Sequence, residues 1–183
     1  MQIETKRLLL RPFADGDAAD LYAYAKDPQV GPSAGWPPHK SEAESLEIIR
    51  TVFPAESSTF AVVLKETGRV VGSCGFVGRS YPELPRPSDE IGYALSSAWW
   101  GQGLIPEAVQ TLLEYGFGEM GLETIWCSHY AGNEKSKRVI EKNHFFYRFC
   151  REEDVPLMGE RRMTFFYALT KSEWLDLQRR PMQ

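Results

Sequence analysis

The spacing of apolar positions changes several times along the chain, and each change marks an element. Leu8, Leu9 and Leu10 form a short apolar run stopped by Pro12, which predicts a strand. Ala18, Leu21, Tyr22 and Ala25 then recur at the spacing of one helical face, with Asp15 placed to cap that helix. Gly31-Pro32-Ser33-Ala34-Gly35-Trp36-Pro37-Pro38 holds so many breakers that it predicts irregular backbone. Ser41 and Glu44 form a capping box ahead of Ile48, Ile49, Val52 and Phe53, the apolar face of a second helix.

The middle of the chain favours strands. Phe60 to Leu64 and Val70 to Val77 are apolar, β-branched runs joined by Glu66-Thr67-Gly68-Arg69, a hairpin turn. Ser80 to Ser88 holds three prolines and reads as a loop, and Glu90 to Leu95 as a strand. From Pro106 onward Val109, Leu112, Leu113 and Phe117 repeat with helical spacing. Thr124 to Tyr130 is a further strand, and Asn133 caps a helix carrying Val139 and Ile140. Phe145 to Cys150 and Met163 to Leu169 are two last strands, joined by a charged loop around Met158-Gly159-Glu160. Thr170 and Glu173 make a second capping box before Trp174 and Leu177, a short closing helix. A strand–helix–strand–helix run after central hairpins makes an α/β protein with part of its sheet parallel. Residues 1–183 show no repeat and no long linker, so one domain is expected.

Composition narrows the function classes. A formal net charge of −4 argues against a nucleic-acid surface, which is normally basic. Cys74, Cys127 and Cys150 are too few and too scattered for a disulfide framework or a metal cluster, and read as small buried residues. No metal is expected. No apolar run approaches the ~18 residues of a membrane span, and Met1 to Arg11 lacks the apolar centre of a signal peptide, so the expected setting is cytoplasmic.

Candidate chemistry concentrates at Trp99-Trp100-Gly101-Gln102-Gly103-Leu104-Ile105-Pro106, between a strand and a helix. Glycines there let backbone approach a ligand closely, and a helix start offers unpaired N–H groups and a positive dipole end to a phosphate. Pro106 suits a first helical turn, where its missing N–H is not required. The third glycine of a dinucleotide fingerprint is absent, and no Gly-Lys-Ser/Thr follows as in a P-loop. A pyrophosphate-bearing ligand at the carboxyl end of a strand is the expectation.

The order of these motifs resembles the GNAT N-acetyltransferases, in the branch that includes the ribosomal-protein N-terminal acetyltransferases. Ile3-Glu4-Thr5-Lys6-Arg7-Leu8-Leu9-Leu10-Arg11-Pro12 is similar to that branch's first strand, and Ile91-Gly92-Tyr93-Ala94-Leu95 to its central strand. Trp100-Gly101-Gln102-Gly103 with Glu107-Ala108 looks like its acetyl-CoA pyrophosphate loop. Asn133-Glu134-Lys135-Ser136, with Glu141-Lys142 and Phe145, resembles its Asn-x-x-Ser helix, and Tyr167 to Trp174 its final segment. The likeness spans nearly the whole chain. Ile105 stands where the family usually has Ala or Gly, Pro106 removes one N–H donor, and Asn143-His144 replaces an apolar residue and Gly.

The resemblance implies a mixed, mostly antiparallel sheet of about seven strands with helices on both faces. It also implies acetyl transfer from acetyl-CoA to an amine, either a peptide N-terminus or a small molecule, by a monomer or homodimer. Backbone from Trp100 through Gly101, Gln102, Gly103, Leu104 and Ile105 would hold the phosphates. Ala94, Leu95 and Asn133 would hold the pantetheine arm, with the Leu95 N–H facing the acyl oxygen. Ser136 would meet the leaving sulfur. Three groups compete as base: Glu90 opening the central strand, His129 near the end of the next, and Glu160 in the late loop. Trp36 with its prolines, Tyr81 to Pro87, and Glu160 would shape the acceptor pocket. Two other classes remain open on the sequence: a non-catalytic acyl-CoA-binding or regulatory domain, and a nucleotide-binding module, which lacks any sign of a Mg²⁺ site.

Overall fold

A computed structural model describes residues 2–179. Met1 and residues 180–183, the ends of the expected 1–183 domain, lie outside the described residues.

Among the described residues, eight strands form one sheet. They are β1 (Ile3–Glu4), β2 (Leu8–Arg11), β3 (Thr59–Leu64), β4 (Arg69–Phe76), β5 (Ser88–Leu95), β6 (Thr124–Tyr130), β7 (Phe146–Val155) and β8 (Glu160–Thr170). Their order across the sheet is β1-β2-β3-β4-β5-β6-β8-β7, and every neighbouring pair is antiparallel except β5 with β6. The strand beyond the expected seven is two-residue β1, too short to carry an apolar period. The helices are α1 (Ala18–Ala25), α2 (Gly31–Ala34), α3 (Glu42–Thr51), α4 (Leu104–Gly118), α5 (Glu134–Lys142) and α6 (Lys171–Arg179).

Alternation along the strands builds two cores. Leu8, Leu10, Val62 and Leu64 point to one face and pack with Leu104, Leu112 and Phe117 of α4 and Ile140 of α5. Ala61, Val63 and Val70 point to the other and pack with Leu21 of α1 and Ile49 of α3. Helix α4 is therefore fixed by its apolar stripe, and that fixes the glycine turn ahead of it.

Several expectations are corrected. Asp15 does not cap α1: the chain first makes a 3₁₀ turn over Asp15–Asp17, and the exposed Asp15 carboxylate pairs with Arg50 at 2.6 Å. The stretch from Gly31 is not wholly irregular, because Pro32 sits in the first turn of short α2, where a missing N–H does no harm. Helix α3 stops at Thr51, since Phe53 precedes Pro54 and is disfavoured from helical backbone. Phe53 stacks instead on Phe13 at 4.8 Å, and Val52 is exposed. Helix α4 starts at Leu104, two residues before Pro106. Strands β7 and β8 run well past the apolar segments into the charged stretch, where Arg161 pairs across the strands with Glu152 at 3.0 Å and Asp154 at 3.2 Å. Cys74 and Cys127 are buried, but Cys150 is exposed on β7, the edge strand. The Thr170–Glu173 box forms in both directions: Thr170 N–H donates to Glu173 at 2.8 Å, and Glu173 N–H to the Thr170 hydroxyl at 3.3 Å.

The entry to α1 is held by a half-buried ion pair. Arg11 donates two hydrogen bonds to Asp17, at 2.7 and 2.8 Å, and the Ala14 N–H donates a third at 2.8 Å. Burial pushes the Asp17 carboxyl up, but the Arg11 and Ala14 bonds together hold it below the usual carboxylate range. A carboxyl lowered by folding contributes stability above its unfolded value, about 3.9, and that contribution fades as pH falls through the lower folded value. Asp17→Asn is expected to cost about 1.5–3 kcal/mol at pH 7. In urea melts the gap from the parent should close below about pH 4; a gap independent of pH excludes the ion pair as its source.

Candidate active site

The site begins where the sheet comes apart. Strands β5 and β6 pair only at Ser88–Glu90 against Thr124–Trp126, although β5 continues to Leu95 and β6 to Tyr130. The other edge of β5 shows which way its free groups point. Val77 N–H donates to Glu90 O, and Ser96 N–H donates to Val71 O. Hydrogen-bonded pairs alternate in an antiparallel ladder, so Ile91, Tyr93 and Leu95 turn their N–H and C=O away from β4, toward the gap. One of these carbonyls, Leu95 O, is taken by the Trp100 indole N–H at 2.9 Å.

A cavity of about 650 Å³ occupies the gap and is lined from both faces of the sheet. On the α4 face it meets Leu95, Gly101, Gly103, Leu104, Ile105, Asn133 and Ser136. On the α1–α3 face it meets Val30, Trp36, Phe53, Ser73, Glu90 and Ala94. The cavity therefore passes through the sheet, and a ligand entering from one side reaches a ligand entering from the other.

On the α4 side, Gly101 and Gly103 have φ of 78° and 75°, a left-handed backbone that favours glycine and sets up the sharp entry to α4. The free N–H groups of Leu104 and Ile105 and the positive dipole end of a 15-residue helix face a ligand there. The Ile105 side chain is buried in the core with Leu104 and Ala108, so its extra bulk leaves the turn open. Lys135, Arg138 and Lys142 line the same side from α5, and Lys135 Nζ lies 3.4 Å from the centre of the Trp100 ring. Asn133 caps α5 by accepting the Ser136 N–H at 3.1 Å, while its amide donates to Ser33 O at 3.1 Å. The Ser136 hydroxyl is 2.7 Å from the Tyr93 hydroxyl. Burial, then nearby Cys127, pushes the Tyr93 phenol far up, so it stays protonated and orients Ser136. His144 takes a left-handed φ of 60° where the resembled pattern has Gly, ending α5 at some backbone cost.

On the α1–α3 side, Glu90 is 4% exposed. Its carboxylate accepts the Tyr81 hydroxyl at 2.7 Å and the Ser128 hydroxyl at 2.5 Å. Tyr81 is wedged edge-on against Trp126 and Phe166, each ring 5.0 Å away. Burial, then the Glu90 charge, pushes its phenol up and keeps it a donor.

The three candidate bases therefore separate. Glu90 and His129 both line the cavity, from opposite faces. His129 stacks on Phe165 at 5.2 Å, with Nδ1 3.0 Å from Tyr130 O and Nε2 3.4 Å from the Tyr167 hydroxyl. A carbonyl only accepts, so this network places the proton on Nδ1. Glu160 does not reach the cavity: it opens β8 and its carboxylate binds Arg162 at 2.6 Å. Arg162 in turn donates to Pro32 O at 2.6 Å and holds α2 down. Gln102 also stays outside, with its carbonyl accepting from Arg7 at 2.9 Å. Trp36 lines the cavity, but none of Pro37, Pro38 or Tyr81–Pro87 does, because Tyr81 turns inward to Glu90.

Sequence reasoning gave no role to Tyr93, Ser128 or Arg7, and placed Tyr81 on the acceptor-pocket loop without its bond to Glu90. Tyr93 and Ser128 lie on strands where nothing in the local pattern names a partner. Arg7 joins the site only through the sheet, from about a hundred positions away in the chain.

The parallel pair opens beside a helix start, and the cavity there is lined from both faces of the sheet. The chain belongs to the GNAT acetyltransferases: residues 7–145 match the acetyltransferase (GNAT) domain. It is 28% identical over 174 residues to p20, an uncharacterised N-acetyltransferase of Bacillus licheniformis, covering 93% of this chain and 96% of that one. A GNAT-family acetyltransferase of Bacillus anthracis superposes with a TM-score of 0.82 at 26% identity, covering 94% and 100% of the two chains. A ribosomal-protein-S5-alanine acetyltransferase of Vibrio fischeri shares the fold, with a TM-score of 0.72 at 19% identity and 95% and 98% coverage. GNAT acetyltransferases use acetyl-CoA as co-substrate. No helix among the described residues is long and apolar enough to cross a membrane, and no group of His, Cys, Asp and Glu there has the arrangement of a metal site.

Proposed function

We propose that this chain transfers acetyl from acetyl-CoA to a primary amine, with both substrates bound at once. The cavity running through the sheet carries this reading, because it gives each substrate its own face and one meeting point. Acetyl-CoA supplies the activated acetyl thioester. The turn Gly101–Ile105 and the α4 dipole hold its phosphates, with Lys135, Arg138 and Lys142 beside them. The gap-facing groups of Ile91, Tyr93 and Leu95 extend the sheet to its amide arm. The Leu95 N–H is the donor for charge developing on the acyl oxygen, a contribution of about 3 kcal/mol.

Glu90 takes the proton that the amine must lose, at a carboxylate already fixed by Tyr81 and Ser128. His129, on the other face and engaged by Tyr130 O and Tyr167, contributes a wall. Ser136, steered by Tyr93, hydrogen-bonds the departing sulfur. A free thiol ionises at about 8.5, so this leaving group needs little acid assistance.

A thermal shift with acetyl-CoA, ATP and NAD in parallel tests the reading. Saturation at ~100 Kd adds about 2.7 kcal/mol, a rise of roughly 5–10 °C for a domain of this size. Acetyl-CoA alone is expected to give the rise, and amines to release CoA thiol. A rise with no thiol release on any amine supports the non-catalytic binding domain instead. No rise at millimolar acetyl-CoA overturns the assignment of the turn.

A further inference from the structure

Among the described residues four cations line the cavity, and three of them, Lys135, Arg138 and Lys142, sit together on α5. The fourth, Arg79, stands apart. It follows β4 on the segment leading to Tyr81, two positions beyond Val77, whose N–H donates to Glu90 O. Among the described residues the Arg79 side chain forms no ion pair. Of the carboxylates nearest in sequence, Glu83 pairs with Arg151 at 3.6 Å, and Asp89 accepts the backbone N–H groups of Arg79 and Glu90 on Oδ1, at 3.0 and 2.7 Å. Burial pushes the Tyr130 phenol up, while Arg79 and then Arg162 draw it back, so the Arg79 charge bears on the same wall as Glu90. Arg162 is spent on Glu160 and Pro32 O. Among the described residues, Arg79 is thus the cation of the acceptor side with no ion pair.

The rim there is apolar as well. Val52 and Val77 are 53% and 43% exposed, and both line the cavity beside half-buried Phe53. Open valines at a cavity mouth match an apolar partner surface.

We propose that the acceptor is an amine carrying an anionic group next to it and an apolar body, as in an apolar α-amino acid. This rests on the amine-transfer reading above. The ammonium meets Glu90, the carboxylate meets the guanidinium of Arg79 in a fork that suits its planar geometry, and the side chain lies along Val77, Val52 and Phe53. A peptide N-terminus with an apolar first residue satisfies Glu90 and the valines but offers Arg79 only a neutral amide.

The test compares L-leucine and L-phenylalanine with their amides and with an Ala-Phe-Ala amide, by CoA thiol release. The free acids are expected to exceed the matching amides by about tenfold in kcat/KM, from one charge-assisted pair. In Arg79→Gln that ratio is expected to collapse toward one, and in Arg79→Lys to stay above it. Thermal melts confirm that each variant folds. Amides or the peptide equal to the acids in the parent enzyme, or a ratio unchanged in Arg79→Gln, overturns the proposal while leaving amine transfer standing. Acetyl-CoA bound, with no member of the panel acetylated, overturns this proposal; amine transfer itself falls only if no amine in a wider screen releases CoA thiol.

Discussion

Glu90→Gln is expected to lower kcat by about 10²–10⁴-fold, the range for loss of a positioned base, while the protein stays folded. The substitution is nearly isosteric, and both partners of Glu90 are hydroxyls, from Tyr81 and Ser128. A hydroxyl accepts as readily as it donates, so each rotates to suit an amide nitrogen or oxygen and no buried polar atom is stranded. The amide cannot take a proton from the attacking amine. KM for acetyl-CoA should hold, because Glu90 lies on the opposite face from the glycine turn. His129→Gln provides the contrast. It removes the imidazole from the α4 face, where both ring nitrogens already have partners, and is expected to change kcat by less than about tenfold. Measured kcat, KM and Tm for both variants decide the matter. If Glu90→Gln keeps parental kcat and His129→Gln loses it, the base is His129.

The fold was legible wherever burial imposed a period. The apolar runs at 60–64, 70–77 and 124–130 and the stripe Val109, Leu112, Leu113 and Phe117 all found their elements, because each has one face that must leave water. Legibility failed where ion pairs or local backbone rules replaced burial. The far ends of β7 and β8 are charged and rest on Arg161 with Glu152 and Asp154, so no apolar alternation announces them. Asp15 is the cap the sequence suggests, but the α1 entry is held by Asp17, whose carboxylate accepts from Arg11 across the strand–helix corner and makes no cap bond to α1. The glycine turn and Glu90 could be found because each combines a residue type with an element boundary. Tyr81 reads as part of the acceptor-pocket loop, but its turn inward to Glu90 is not legible, because only the aromatic slot between Trp126 and Phe166 draws it there. Glu160 reads as a carboxylate in a late loop, yet the hairpin carries it beyond the cavity, and its reach into the site is only through Arg162.

Arg7→Ala is expected to raise KM for acetyl-CoA about ten- to a hundredfold with kcat changed by less than about threefold. Arg7 ties the start of β2 to the glycine turn and the first turn of α4 at three points. Its backbone N–H donates to Glu107 at 2.8 Å, its Nε to the other Glu107 oxygen at 2.7 Å, and its Nη1 to Gln102 O at 2.9 Å. Thr5 adds a fourth bond, hydroxyl to Glu107 at 2.5 Å. Burial pushes the Glu107 carboxyl up, and Thr5 and Arg7 together hold it below its usual range, so it stays charged in the first turn of α4. Gln102 lies between the two left-handed glycines, and the bond to its carbonyl is what stops that turn from sampling other shapes. Charge-assisted bonds of this kind are worth about 1.5–3 kcal/mol each, which sets the expected range in KM. Arg7→Lys keeps the charge but not the fork, so its KM should fall between the two. A purely structural role lowers Tm and the active fraction without separating KM from kcat. A fall in kcat at unchanged KM therefore sinks the positioning role. Glu107→Gln should reproduce the Arg7→Ala pattern, because the two side chains close one brace.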